Sequence, residues 1–103
     1  RMPNMVQAGT YSAVTQYLKA IKAAGTDATE AVAKNIHGSK VDDFFGRGGV
    51  VYPNGRMAHE MYLAVVKSPK ESKRPWDYYK LLAKIPGEQA FFKPTESGCP
   101  LVK

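Results

Sequence analysis

Cysteine is nearly missing from this chain: among 103 residues there is one, Cys99. A single thiol excludes an internal disulfide framework and a cysteine-rich zinc module. Histidine is scarce as well, with only His37 and His59. Long apolar runs are absent. No stretch approaches the roughly 20 apolar residues of a membrane helix, and the mean hydropathy is -0.37. There is no internal repeat. A hydrophobic share of 44% and a charged share of 23% are ordinary, which excludes a disordered polar tail, a collagen-like repeat and a coiled coil. An initiating methionine is also lacking, because the chain opens Arg1-Met2 without a targeting segment. The expectation is a processed or truncated chain.

What the chain does have is a basic balance. Lys and Arg number 15 against 9 for Asp and Glu, a formal charge of +6. A basic domain can meet nucleic acid or an anionic surface. A soluble domain that happens to be basic is the plainer reading, since no nucleic-acid motif accompanies the charge.

The pattern predicts two helices followed by strands. Residues 1–9 read as an extended segment, with Pro3 disfavouring helix before it. Thr10 is the predicted N-cap of a helix over residues 11–24. Its Tyr11, Val14, Leu18 and Ile21 share one apolar face, and Gly25 ends it. Thr26 or Asp27 caps a shorter helix, with Ala28, Val32, Asn35 and Ile36 along one side and Gly38 as its stop. Val50-Val51-Tyr52 is β-prone, and Pro53-Asn54-Gly55 is a turn signal. Residues 61–66, apolar on both faces, are predicted to be that hairpin's second strand, covered on both sides. Residues 67–77 read as an exposed connection. Residues 78–85 read as a strand with Tyr79, Leu81, Ala83 and Ile85 on one face. A short helical turn follows over residues 88–92, and the tail from Lys93 is irregular.

No catalytic pattern emerges. A zincin helix needs a second histidine on the same face after His-Glu, and His59-Glu60 is followed by Met61, Tyr62 and Leu63. Asp42 and Asp43 are adjacent, so in extended chain they point apart and read as a turn or cap. Gly46-Arg47-Gly48-Gly49 lacks the Lys-Ser/Thr of a phosphate loop and precedes a strand; a turn into a hairpin is the better reading. Cys99 has no Cys/His/Asn pattern around it. Residues 73–80 interleave basic and aromatic side chains that could stack on bases. Residues 67–84 hold four of the chain's six net positive charges, so a small basic nucleic-acid-binding module over 67–84 is the alternative functional reading. Against it stands a linker leading into a strand whose aromatics pack on protein.

Several runs then point to a family. They are Gly9-Thr10-Tyr11-Ser12-Ala13-Val14, Ala20-Ile21-Lys22-Ala23-Ala24-Gly25-Thr26-Asp27, Asn54-Gly55-Arg56-Met57, and Met61-Tyr62-Leu63. They continue with Ser68-Pro69-Lys70-Glu71-Ser72-Lys73, Pro75-Trp76-Asp77-Tyr78-Tyr79-Lys80, Ile85-Pro86-Gly87-Glu88-Gln89-Ala90-Phe91, and Cys99-Pro100-Leu101-Val102. In that order they resemble the C-terminal region of the branched-chain amino-acid (Leu/Ile/Val)-binding proteins, the type I periplasmic substrate-binding components of ABC transporters. The resemblance runs along essentially the whole chain but covers about the last quarter of a typical member.

The resemblance implies an α/β class and a partial type I periplasmic-binding-protein fold. It implies residues 1–66 in one lobe, 67–77 as a hinge, and 78–103 contributing to the other lobe. Val66, Lys67, Pro75 and Trp76 are the implied hinge positions. Ligand in such proteins sits between lobes that close on it, and Val6, Gln7 and Ala8, just before the predicted helix, are the implied cleft-lining residues. The implied partners are a small solute, an amino acid or related carboxylate, and the transporter's membrane permease; no nucleic acid, cofactor, metal or enzymatic role is expected. The implied location is the periplasm, reached through a signal peptide not in this sequence. With the remainder of the cleft missing, the isolated chain is expected to bind weakly or not at all. Its uncovered apolar faces are expected to favour self-association.

Overall fold

A reciprocal pair of side chains starts the first helix. In the computed structural model, which describes residues 2–96 with Gly98 and Pro100, helix α1 spans Met5–Ala24. The Gln7 amide donates to Asn4 Oδ1 at 2.9 Å, and the Asn4 amide donates to Gln7 Oε1 at 3.0 Å. This capping box satisfies two N-terminal donors at once. The helix therefore begins six residues before the predicted Tyr11, Thr10 is not its cap, and most of the predicted extended segment is helical. At the other end Gly25 adopts φ 67°, and its amide donates to the Ile21 carbonyl at 2.9 Å. A left-handed residue there is what glycine supplies without a Cβ clash. Helix α2 spans Thr29–Ile36 and packs on α1. Its N-cap is Ala28, not Thr26 or Asp27; the Thr26 hydroxyl instead accepts the Ala28 amide at 3.2 Å.

The face that α1 turns inward is its small one. Ser12 and Ala20 are buried, whereas Tyr11, Val14 and Leu18 are 57%, 51% and 58% exposed. At 100° per residue these two sets lie on opposite sides of the helix. The periodicity that predicts an apolar face is correct, but that face meets solvent in this chain.

Ser12 is fully buried and donates to Asp43. Asp43 also accepts the amides of Phe45 and Gly46, each at 2.9 Å, so one carboxylate closes a turn and pins it to α1. Burial pushes the Asp43 carboxyl up. The hydrogen bonds from Ser12, Gly46 and Phe45, with the charge of Lys19, outweigh that and hold it below its ordinary value.

Three short antiparallel strands follow: β1 (Lys40–Val41), β2 (Gly49–Val51) and β3 (Met57–Ala58), in spatial order β1-β2-β3. Val41, Val51 and Ala58 complete a core with Ala20 and Val32. Every apolar side chain buried among the described residues is thus Ala or Val. The predicted turn at residues 53–55 is present, with Gly55 at φ 79° and its amide on the Tyr52 carbonyl. Its second strand is β3, not residues 61–66.

Residues Met61–Val66 form β4, which pairs antiparallel with β5 (Tyr79–Ile85) in a separate two-stranded ribbon. All of β4 is exposed, contrary to the predicted cover on both sides. The register runs Leu63↔Ala83 and then Ala64↔Leu81, which leaves Leu82 as a bulge. A bulge inverts the alternation beyond it. Met61, Leu63, Ala83 and Ile85 therefore share one face, but Tyr79 and Leu81 fall on the other face with Ala64 and Val66, so the predicted common face of β5 does not form.

The loop joining the two strands is held by its own side chains. The Lys67 amide donates to the Tyr78 carbonyl at 2.8 Å and closes it. Lys67 Nζ pairs with Asp77 at 2.6 Å, and the Lys73 amide reaches the same carboxylate. Ser68 donates to Glu71 through both hydroxyl and amide. The Lys67 and Lys73 donors hold the Asp77 carboxyl below its ordinary value, as the Ser68 donors do for Glu71.

After the ribbon comes a single turn, α3 (Gly87–Ala90), and a 3-10 turn at Pro94–Glu96 within the tail expected to be irregular. Gly87 lies so close to His59 that a Cβ on it would stand 2.9 Å from the His59 amide nitrogen. The His59 ring sits between Phe45 and Phe91, at centroid distances of 4.9 and 5.2 Å. Cys99 and residues 101–103 lie outside the described residues.

The chain is drawn out. Its radius of gyration is 16.8 Å, against about 13 Å for a compact domain of this length. Its accessible surface is 8270 Å², whereas a compact chain of its mass exposes about 5,700 Å².

Two measurements follow from these contacts. Ser12→Ala should lower unfolding stability by about 1–2 kcal/mol, read by urea denaturation; an unchanged midpoint would mean that Asp43 does not anchor α1. The loop should respond to acid. Because the Asp77 and Glu71 carboxyls are depressed when folded, their contribution is full above the ordinary carboxylate range near about pH 4 and is lost as pH falls through the lower folded values. Emission from Trp76, the single tryptophan, should shift with a midpoint below that range, and Asp77→Asn should remove the shift. A midpoint at or above the ordinary value contradicts the assigned contacts.

Candidate functional site

The three implied cleft residues lie inside the first turns of α1, not before it. The capping box that starts the helix early is the reason. Val6 is 70% exposed. Gln7 spends its carbonyl oxygen on the Asn4 amide and keeps its side-chain NH2 for other partners. Ala8 lines a concavity of about 440 Å³ together with Asn4, Met5, Phe44, Phe45 and the start of β4 at Met61 and Tyr62. Of the three, only Ala8 lines it.

This concavity has an apolar wall and a polar corner. Phe44, Phe45 and Met61 supply the first; His59 and Glu60 supply the second. His59 Nδ1 hydrogen-bonds with the Glu60 carbonyl oxygen at 2.8 Å. The Tyr62 hydroxyl donates to Glu60 Oε2 at 3.0 Å, and Lys84 Nζ stands 3.8 Å from the same oxygen. The loop carrying Phe44 and Phe45 is the one that Asp43 closes and Ser12 ties to α1, so the buried hydrogen bond sets the position of the wall. A second concavity of about 520 Å³, with Arg47 and Glu88, shares His59 and Glu60 but contains none of the implied cleft residues. The first is the better candidate because α1 opens into it. Sequence periodicity offers no signal for Phe44, Phe45 or Glu60 as lining residues, because their placement depends on pairings between distant segments.

The implied hinge residues gather at the opposite end of β4. Val66 is the last residue of that strand and is exposed, and Lys67 begins the loop with its ion pair to Asp77. Pro75 is exposed. Trp76 has φ 70°, a conformation that costs a bulky residue energy and recurs at functional positions. Its ring meets Tyr78 edge-on at 6.0 Å. A six-residue strand at about 3.4 Å per residue is roughly 17 Å long between its end residues. One strand therefore joins the concavity to the loop.

No group of three or more His, Cys, Asp or Glu among the described residues could hold a metal. None of their helices is long and apolar enough to cross a membrane.

Comparison with known proteins gives this arrangement its context. Residues 1–73 match the profile of the family described as periplasmic binding protein. Two solved structures superpose on all of the chain. One is a periplasmic binding protein from Burkholderia mallei, 50% identical, with a TM-score of 0.92, of which the chain covers 27%. The other is a branched-chain amino acid ABC transporter periplasmic ligand-binding protein from Burkholderia xenovorans LB400, 43% identical, with a TM-score of 0.92, of which the chain covers 28%. No match is found among curated proteins. The fold is accordingly a part of the α/β fold of those structures. The nucleic-acid reading of residues 67–84 gains no support: Lys67 is paired with Asp77 and Lys84 lies 5.8 Å from the Tyr62 ring centroid. A family profile matched across residues 1–73, and a backbone that follows two solved binding proteins from end to end, assign this chain to the periplasmic binding protein family.

Proposed function

We propose that the chain contributes one wall and the hinge of a solute-binding protein that holds a small molecule for uptake through an ABC transporter. The solute is an amino acid or a related carboxylate, the receiving partner is the membrane permease, and the place is the periplasm. The role is binding and presentation rather than catalysis, and it needs no cofactor. The observation that carries this reading is the 43% identity, over the full chain, to a ligand-binding protein of a branched-chain amino acid ABC transporter.

In this reading Val6, Gln7 and Ala8 face the solute from the first turns of α1, beside the concavity that Ala8 lines. Val66, Lys67, Pro75 and Trp76 form the hinge. The proposed division is residues 1–66, a hinge at 67–77, and 78–103; β4 and β5 pair across it, and the turn after β5 returns to pack on His59. Lobe closure needs a segment that bends without unfolding. A loop closed by Lys67, Asp77, Ser68 and Glu71 meets that need.

The test joins this chain to the remainder of a relative. In a chimera it replaces the matched 28% of the Burkholderia xenovorans protein. Calorimetry against leucine, isoleucine, valine and aromatic carboxylates should show saturable binding of at least one. Val6→Ala should weaken that binding about threefold to tenfold, the value of one or two buried methylene equivalents. The isolated chain should show no saturable thermal stabilisation with the same panel. A folded chimera that binds nothing in the panel would refute the proposal, and so would tight binding by the isolated chain.

A further inference from the structure

We propose that Phe91 is a positioning residue for the solute site: acting through the His59 ring, it holds the Phe45 wall of the candidate cleft against the first turns of α1. The proposal rests on the reading of that concavity as the solute site.

A column of planar groups crosses the molecule. At one end the Phe45 ring lies against α1, where a Cβ on Gly9 would stand 3.7 Å from its Cζ. The His59 ring follows at a centroid distance of 4.9 Å, and the Phe91 ring at 5.2 Å beyond it, inclined by 55° and 57°. The Arg56 guanidinium closes the far end, 5.9 Å from the Phe91 centroid. Tilted aromatic pairs and cation–π pairs attract at such separations. Phe45 and His59 line the concavity together with Ala8, the neighbour of Gly9, whereas Phe91 and Arg56 stand outside it. Phe91 thus meets the wall through the imidazole. Each contact in the column joins two residues of this chain, so the arrangement is complete in itself.

The middle of the column is held tightly. His59 Nδ1 hydrogen-bonds with the Glu60 carbonyl oxygen at 2.8 Å. A carbonyl can only accept, so Nδ1 carries the proton and the ring plane is set. Glycines crowd the residue from two sides. A Cβ on Gly87 would stand 2.9 Å from the His59 amide nitrogen, and one on Gly46 would stand 3.3 Å from the His59 Cβ. Approach this close is open to a residue without a side chain. The glycine-rich run at 46–49 therefore leaves room for the segment that carries His59.

The wall itself depends on this support. Asp43 fixes the backbone at Phe45 and Gly46, but a bond to an amide leaves the Phe45 side-chain rotamer open. What the ring packs on decides that rotamer. Phe91 is half-buried. A leucine in its place would keep much of the apolar volume and lose the flat face offered to the imidazole. A wall that samples several rotamers binds more weakly, in proportion to the time it spends in the competent one.

The chimera with the Burkholderia xenovorans protein carries the test, with the same panel of leucine, isoleucine, valine and aromatic carboxylates. Phe91→Leu should weaken every binding event that the unaltered chimera shows by about threefold to tenfold, the scale of one aromatic pair, while Phe91→Tyr, which keeps the ring, should stay within about twofold. Phe45→Leu combined with Phe91→Leu should cost less than the sum of the two, because either change breaks the same column. Leu and Tyr variants that bind alike would overturn the proposal, and so would an additive double variant. A second measurement needs no solute. In the chain alone, Phe91→Leu should shift the NMR resonances of the Phe45 ring protons and of the Gly9 amide, and Phe91→Tyr should leave both in place. Unmoved resonances in Phe91→Leu would overturn the positioning role. Shifted resonances together with a folded chimera silent toward the whole panel would uphold the column and refute the solute reading.

Discussion

A hydroxyl on α1 and a carboxylate 31 positions later meet inside the molecule, and much else follows from that meeting. Ser12 can reach Asp43 only if α1 is rotated with its small residues inward. That rotation puts Ala20 against the rest of the core and sends Tyr11, Val14 and Leu18 outward. The same carboxylate holds the amides of Phe45 and Gly46, so it shapes the turn whose rings wall the candidate cleft. The buried Ser12 hydroxyl is tolerated because it donates to a carboxylate. Helix orientation, loop shape and cleft wall thus share one anchor.

The core gathered around that anchor is slight. Val41, Val51, Ala58, Ala20 and Val32 are small, while the large apolar side chains mostly lie outside it. Burial of three valines and two alanines contributes roughly 6–11 kcal/mol by area, little beside the conformational entropy of ordering the chain, so local devices carry more of the order than usual. The capping box at Asn4, the left-handed Gly25, and the self-bonded loop from Lys67 to Asp77 are such devices. Each acts over a handful of residues and survives without a large core.

Much of this was legible in the residues, and what was not has physical causes. The α1 stripe follows from spacing alone, and Gly25 and Asn54-Gly55 announce their turns because few other residues accept those angles. The early start of α1 was hidden because Asn4 and Gln7 lie beyond a glycine and a threonine that offer a nearer start. The partner of Met61–Val66 is not legible in the sequence, because β-propensity says that a strand exists but not what it pairs with. Adjacency favoured the Asn-Gly hairpin, whereas the register joins it to Tyr79–Ile85 across the polar loop. The resemblance to binding proteins was readable from the order of motifs. The individual lining residues Phe44, Phe45 and Glu60 were not, because their role depends on which distant segments come together.

The bulge at Leu82 has a consequence for how the ribbon meets its surroundings. Near Met61 the drier face carries Leu63, Ala83 and Ile85, and Lys84 marks the back. Beyond the bulge Lys80 stands beside Val65 on the first face, and Tyr79 and Leu81 make the back the drier side. The water-avoiding surface therefore crosses from front to back partway along, like the exchanged edge of a half-twisted tape. No single flat neighbour can cover it. Whatever encloses this ribbon must approach the Met61 end from one side and the Tyr79 end from the opposite side.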